Sequence, residues 1–222
     1  MSGLCGAPAG RVARPAARIP GCPLTPEQAV RIAGRTVWPS AKVGLMAAAH
    51  VSPYGGSWYP GRRSELERLL DELFQSSEQR TGPHLFARPL GFVVPHAGLQ
   101  YSGGVAASAY RHIRRHQPRR AVILGFTHRG GPAGVSIPNI DGYETPLGRV
   151  SIDRTAMERL AGHSPFAFVA ESRVCDHSVE IQLPLLQRAA PDAQVVPLFV
   201  GALDAPDRDA AAKILASLCE PE

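Results

Sequence analysis

Apolar residues recur along this chain in two rhythms. From Arg62 to Gln75, Leu66, Leu69, Leu70, Leu73 and Phe74 return every three or four positions. That spacing makes one stripe and predicts an amphipathic helix. Elsewhere the apolar residues come in short runs that read as strands, at about 90–94, 120–125, 166–169 and 194–200, with a shorter one at Val135–Ile137. Between the first two runs lies a helical pattern. Gly98 permits a turn, Ser102 is placed to cap, and Val105, Ala106, Ala109, Tyr110 and Ile113 share a side. Asp153 caps a helix through Leu160, and Asp207 to Leu218 forms a last one. Tyr143 to Gly148 reads as an exposed turn, and Pro197 predicts a bulged strand or one near an edge. Strands alternating with helices give an α/β class, with a mainly parallel sheet flanked by helices.

Composition changes the picture at the N-terminus. Of 222 residues, 44% are hydrophobic and 19% are charged, enough for one domain with a sizeable core. Residues 1–45 hold six basic residues and one acidic, while the remainder holds 18 of each sign. The net charge of +5 therefore belongs to the leader, and the body offers no electrostatic case for nucleic acid. Residues 1–48 are rich in Ala, Arg, Pro and Gly and are expected to be disordered apart from one short helix. Thr25-Pro26-Glu27-Gln28 starts that helix as a capping box and Gly34 ends it. The arginine-rich, acid-poor leader also resembles a transit peptide, but the favoured expectation is a start site placed too far upstream, with Met46 the real start. No apolar run reaches the roughly 18 residues of a membrane span. Cys5, Cys22, Cys175 and Cys219 are scattered, which fits a reducing, cytoplasmic compartment.

The polar residues concentrate in three places. His96 follows Phe92-Val93-Val94-Pro95, and His128 follows Ala121-Val122-Ile123-Leu124-Gly125. Each sits just past the carboxyl end of an apolar run, the edge where open α/β sheets bind ligands. A helix between the two runs makes a β-α-β unit, so parallel neighbours about 4.8 Å apart are expected. Two imidazoles at that spacing can converge on one cation, so His96 and His128 are the candidate metal ligands. In Asp176-His177-Ser178-Val179-Glu180, the Asp suits an N-cap and His177 and Glu180 share a helix face. A His and a carboxylate so placed bind metal or orient each other for proton transfer, although a capped helix start with a surface ion pair is commoner.

Taken in order, the motifs resemble one family. Gly-Ser-Trp-Tyr-Pro at 56–60, Pro-His-Ala-Gly at 95–98 with Tyr101-Ser102-Gly103, and Ile-Leu-Gly-x-x-His at 123–128 belong to the set. Asp-His-Ser-Val-Glu at 176–180 and Val-Gly-Ala-Leu at 200–203 complete it. From about Ser52 to Leu203 the chain resembles the Memo family, called AmmeMemoRadiSam system protein B in prokaryotes. The resemblance implies a fold similar to the class III extradiol ring-cleaving dioxygenases, which hold non-haem Fe(II) with two His and a carboxylate. It implies a related pocket with altered ligands and no settled catalytic activity. It assigns the two metal-site histidines to His96 and His128, and gives His177 a role behind the metal or in acid–base chemistry. The family continues past Val-Gly-Ala-Leu to an Asp-x-x-His motif and a further ligand. Residues 204–222 carry neither, so the chain reads as truncated. Thr127 stands for the family's usual Ser, and Arg129 for the second His of a His-His pair.

Three functions follow as expectations. The first is a Memo-family pocket around His96 and His128 that takes a divalent transition metal (Fe, Cu or Zn), with His177 and Glu180 as acid–base groups. The second is a metal-dependent dioxygenase or other oxidoreductase, against which the lack of an obvious third ligand counts. The third is a non-catalytic module for a peptide or small ligand, suited to the aromatic Gly-rich loop at 54–60. A protein or peptide partner and an unidentified small molecule are the expected partners, with no nucleic acid and no membrane.

Overall fold

The computed structural model describes residues 48–82 and 89–219, together with the backbone of Val30–Ile32 and Arg35–Val37. The chain divides into two compact units, Met1–Leu45 and Met46–Glu222. In the first, β1 (Val30–Ile32) pairs antiparallel with β2 (Arg35–Val37), with Val30 opposite Val37. The helix expected to run to Gly34 is therefore replaced at 30–32 by strand, the preference of Val30, Ile32, Thr36 and Val37. The capping-box residues and most of the leader expected to be disordered lie outside the described residues.

The second unit contains two sheets flanked by helices. A three-stranded sheet has the order β3 (His50–Val51), β6 (Gly142–Thr145), β7 (Gly148–Ser151). A four-stranded sheet has the order β4 (Arg120–Gly125), β9 (Gln194–Val200), β5 (Val135–Pro138), β8 (Phe166–Val169). In the larger sheet β4 runs parallel to β9 and β5 parallel to β8, but β5 meets β9 antiparallel. The sheet is thus mixed. Helices α1 (Arg63–Thr81), α2 (Leu99–His116) and α6 (Leu183–Ala189) pack on one another. The leucine stripe explains why. Leu66, Leu70 and Phe74 are buried, and Leu69 and Leu73 pack half-buried beside them. α3 (Arg154–Ala161) starts where the side chain of Asp153 accepts from Ala156 N at 2.8 Å, as the sequence predicts. The short helices α4 (Glu171–Val174) and α5 (His177–Glu180) and the last helix, α7 (Ala205–Cys219), complete the unit. Among the described residues no helix is long and apolar enough to cross a membrane.

Four expectations are corrected here. First, residues 89–96 form no strand. Phe92 turns onto the ring of His112 at 5.2 Å and Val94 packs on the core, while Leu90 and Val93 point outward. An extended segment becomes a strand only when its backbone groups meet a neighbour's, and β4 pairs among the described residues with β9 alone. The expected parallel pair between 90–94 and 120–125 is therefore not formed. Second, Ser102 lies inside α2 and donates to Ala97 O at 2.9 Å, so Gly98 takes the cap position. Third, the exposed turn expected over Tyr143 to Gly148 is confined to Pro146 and Leu147, which are half-buried. The rest of the stretch carries β6 and the start of β7, and Tyr143 is fully buried. Gly148 opens β7 at φ +108°, a conformation that favours glycine. Fourth, Pro197 sits in a central strand, paired with Ile123 of β4. Strand N–H groups alternate between sides, so the side Pro197 faces is the one where Val195 bridges Ile152 and Phe199 meets β5. Its missing donor falls in the gap between those two contacts.

Among the described residues one edge of β4 is unpaired; the strand carries an apolar run, and Leu124 and Phe126 at its end are exposed. Such an edge invites pairing between chains. The protein is expected to self-associate with rising concentration, and Leu124→Lys should shift it toward the single chain. Size-exclusion chromatography with light scattering checks this, and a single-chain mass at every concentration would contradict it.

Candidate metal centre

Three imidazoles meet at one end of the larger sheet. His96 comes from the extended segment ahead of α2, His128 from the turn after β4, and His177 from the first position of α5. Each offers a ring nitrogen, and these atoms all lie within 4.8 Å of one another. The His128 and His177 rings stack at 4.1 Å and 20°. His96 stands 5.5 Å from His128 and 5.6 Å from His177, centroid to centroid. Sequence reasoning thus names two members of the cluster as candidate ligands and gives the third a supporting role. The stretch that carries His177 was visible as a concentration of polar groups, but its distance from His128 depends on tertiary packing.

That packing turns on Asp176, which is 2% exposed. Its Oδ2 accepts from His128 N at 3.0 Å, and its Oδ1 lies 2.9 Å from His128 Nδ1 and accepts from Ser178 N at 3.0 Å. Burial by itself would raise the Asp176 pKa. The donors from Ser178 and His128 outweigh it and hold the carboxyl below its ordinary 3.8. An ionised Asp176 fixes the proton of His128 on Nδ1 and leaves Nε2 free to ligate. His177 moves the other way from its ordinary 6.5. Burial lowers its pKa, and the neighbouring His128 and His96 lower it further against the pull of Asp176. It is neutral at pH 7, the form that binds metal.

The neighbouring contacts fix the rest. Ser178 Oγ donates to Phe126 O at 2.5 Å and accepts from Phe126 N at 3.0 Å, tying α5 to the end of β4. A Cβ on Gly125 would stand 2.6 Å from Ser178 Oγ and 2.7 Å from Val179 Cγ2, so only glycine allows this approach. Gln182 donates to Pro95 O at 3.0 Å and accepts from Tyr110 at 3.1 Å, which holds the His96 segment against α2. Trp58 lies 4.3 Å from the His177 ring and Tyr54 5.7 Å, so the aromatic loop is a wall of the cluster. Trp58 O also accepts from Leu99 N at 2.9 Å, at the start of α2. Glu180, on the same short helix as His177, is 1% exposed and meets His50 rather than the three histidines.

The family model for Memo-like proteins matches residues 51–222. The chain belongs to the Memo family. A MEMO1 family protein of Methanobrevibacter smithii is 34% identical over 159 residues, covering 66% of this chain and 55% of that protein. One of Aquifex aeolicus is 36% identical over 149 residues (65% and 52%), and one of Pyrobaculum aerophilum 37% over 155 residues (65% and 53%). The chain spans about half the length of these relatives. The α/β architecture, mixed rather than mainly parallel in its sheet, is consistent with the Memo family.

Two outcomes follow for this Memo-family chain. Gly125→Ala should cost about 1–3 kcal/mol through overpacking against α5, read from urea unfolding. Asp176, with its lowered pKa, contributes stability above pH 3.8 that is lost as pH falls through the still lower folded value. Asp176→Asn should therefore flatten the acid limb of a thermal midpoint against pH profile. An unchanged limb would show that Asp176 carries no linked stability.

Proposed function

We propose that this chain binds a divalent transition metal through His96, His128 and His177. The observation that carries the reading is the approach of three ring nitrogens to within 4.8 Å of one another. Imidazole suits Zn, Fe and Cu, and three neutral nitrogen donors leave the charge of the ion uncompensated. Asp176 supports the donor set from behind by fixing the His128 tautomer. His128, with a side chain 40% exposed, leaves the cluster open to solvent on one side. A divalent ion supplies a Lewis acid at that opening, able to draw charge from a ligand group. The chain's own residues orient the three rings and shield one side with Trp58 and Tyr54.

A two-histidine, one-carboxylate iron site of the dioxygenase type is less well supported. The nearby carboxylate, Asp176, spends its oxygens on His128 and Ser178. The acid–base role expected for His177 gives way to a ligand role in this reading.

Calorimetric titration with Zn²⁺, and with Fe²⁺ under anaerobic conditions, tests the proposal. Binding near micromolar, about 8 kcal/mol, is expected. His96→Ala, His128→Ala and His177→Ala should each abolish specific binding, and Asp176→Asn should weaken it about 10–100-fold. Affinity should fall as pH drops below 6.5, where protons compete for His177. Parent-like binding by all three alanine variants would overturn the metal reading in favour of a ligand-binding module.

A further inference from the structure

His50 and Glu180 form a buried pair outside the three-histidine cluster. Glu180 is 1% exposed, and among the described residues neither of its carboxylate oxygens has a hydrogen-bond partner. His50 Nε2 stands 3.2 Å from Glu180 Oε1, and His50 Nδ1 stands 3.4 Å from Glu171 Oε2. The first distance is that of an ion pair, but its angles do not make a hydrogen bond, so the link is one of charge. A buried carboxylate with no directed donor is costly unless a cation stands beside it. Burial by itself lowers the His50 pKa, and the contacts with Glu180 and Glu171 overcome this and raise it above 6.5. Around the pair, the Tyr143 ring lies edge-on to His50 at 5.5 Å. Burial raises the pKa of Tyr143 well above its ordinary value and that of Cys175 to about 12, and burial also raises Tyr54 and Tyr59. These four groups stay neutral near pH 7. His50, when protonated, is then the cation facing Glu180 and Glu171, with the charge of Asp176 further along the chain.

The pair joins two elements that border the histidine cluster. His50 opens β3, where it pairs with Tyr143. Ser52 follows, donating to Glu144 O at 3.2 Å and accepting from Tyr59 at 2.8 Å, and the aromatic loop grows from there. Glu180 closes α5, whose first residue is His177. We propose that His50 is a positioning residue for the three-histidine site, fixing α5 and the Tyr54–Tyr59 loop against each other by charge pairing with Glu180 and Glu171. The seating of His177 against Trp58 depends on that link. The proposal rests on the metal reading only for its effect on affinity, because the seating itself is read without metal.

The test uses the full chain carrying Trp38→Phe, so that Trp58 is the fluorophore. His50→Gln, His50→Arg and Glu180→Gln are compared with the parent by Trp58 emission, thermal midpoint and Zn²⁺ titration. His50→Gln and Glu180→Gln should shift the emission and weaken Zn²⁺ binding about tenfold. His50→Arg, which keeps a cation, should restore both. The raised His50 pKa means the pairing is present below 6.5 and lost as pH climbs through the folded value. From pH 6.5 upward the parent emission should move toward that of His50→Gln, while His50→Arg stays flat. If Glu180→Gln fails to fold, the two His50 variants decide the matter. A His50→Gln protein with a lower midpoint but parent-like emission, pH profile and affinity would overturn the proposal, as would failure of the Arg variant to rescue. If the parent binds no Zn²⁺ yet its emission follows His50, the positioning stands and the metal reading fails.

Discussion

One buried carboxylate holds the candidate site together. Asp176 receives the backbone and ring of His128 and the backbone of Ser178, so it belongs equally to the end of β4 and the start of α5. Without it the hydrogen bonds left between the two segments among the described residues would be those of Ser178 with Phe126, beside the ring stack and the packing at Gly125. A carboxylate 2% exposed is tolerable because its charge is answered from both sides. The geometry of the histidines follows. The tautomer of His128, the entry of α5 and the stacking of His177 all derive from the same two oxygens.

Around that contact the fold supplies rigidity by close approach. Gly125 removes the side chain that would keep α5 away from β4. Gln182 reaches across to Pro95, so the segment bearing His96 is held without a strand ladder. The aromatic loop is anchored at both ends, by β3 against β6 and by Trp58 O against α2. Each support acts at a segment end, so the three histidines can come from three separate stretches of chain.

Local pattern made much of this legible. The strands at 120–125, 166–169 and 194–200 are where their apolar runs place them, because each finds a neighbour to pair with in the larger sheet. Asp153 caps α3 because a short carboxylate before a helix has few better partners. The run at 90–94 misled for an equally physical reason, since apolar composition predicts burial and a strand needs a neighbour as well. Tyr143 was misread because Gly148 and Pro146 suggested a turn, while the burial that makes β6 comes from distant residues. At the site, His96 and His128 stood out by their position at the ends of apolar runs. The ligand role open to His177 depends on the 4.1 Å stack with His128, about fifty positions away, and no spacing rule reaches that far. His50 was invisible for the same reason, since nothing local marks it as the partner of Glu180.

The stacked rings carry a consequence for competition between cations. Protons on both His128 and His177 would place two separate charges on rings whose centroids are 4.1 Å apart. One divalent ion places its charge at a single point that all three rings can share. Burial lowers the basicity of His177, and the nearby His128 and His96 lower it further, so in the metal-binding reading the site would favour the ion over the proton. Such a site would discriminate by how charge is distributed in space, against many small carriers and for one concentrated carrier.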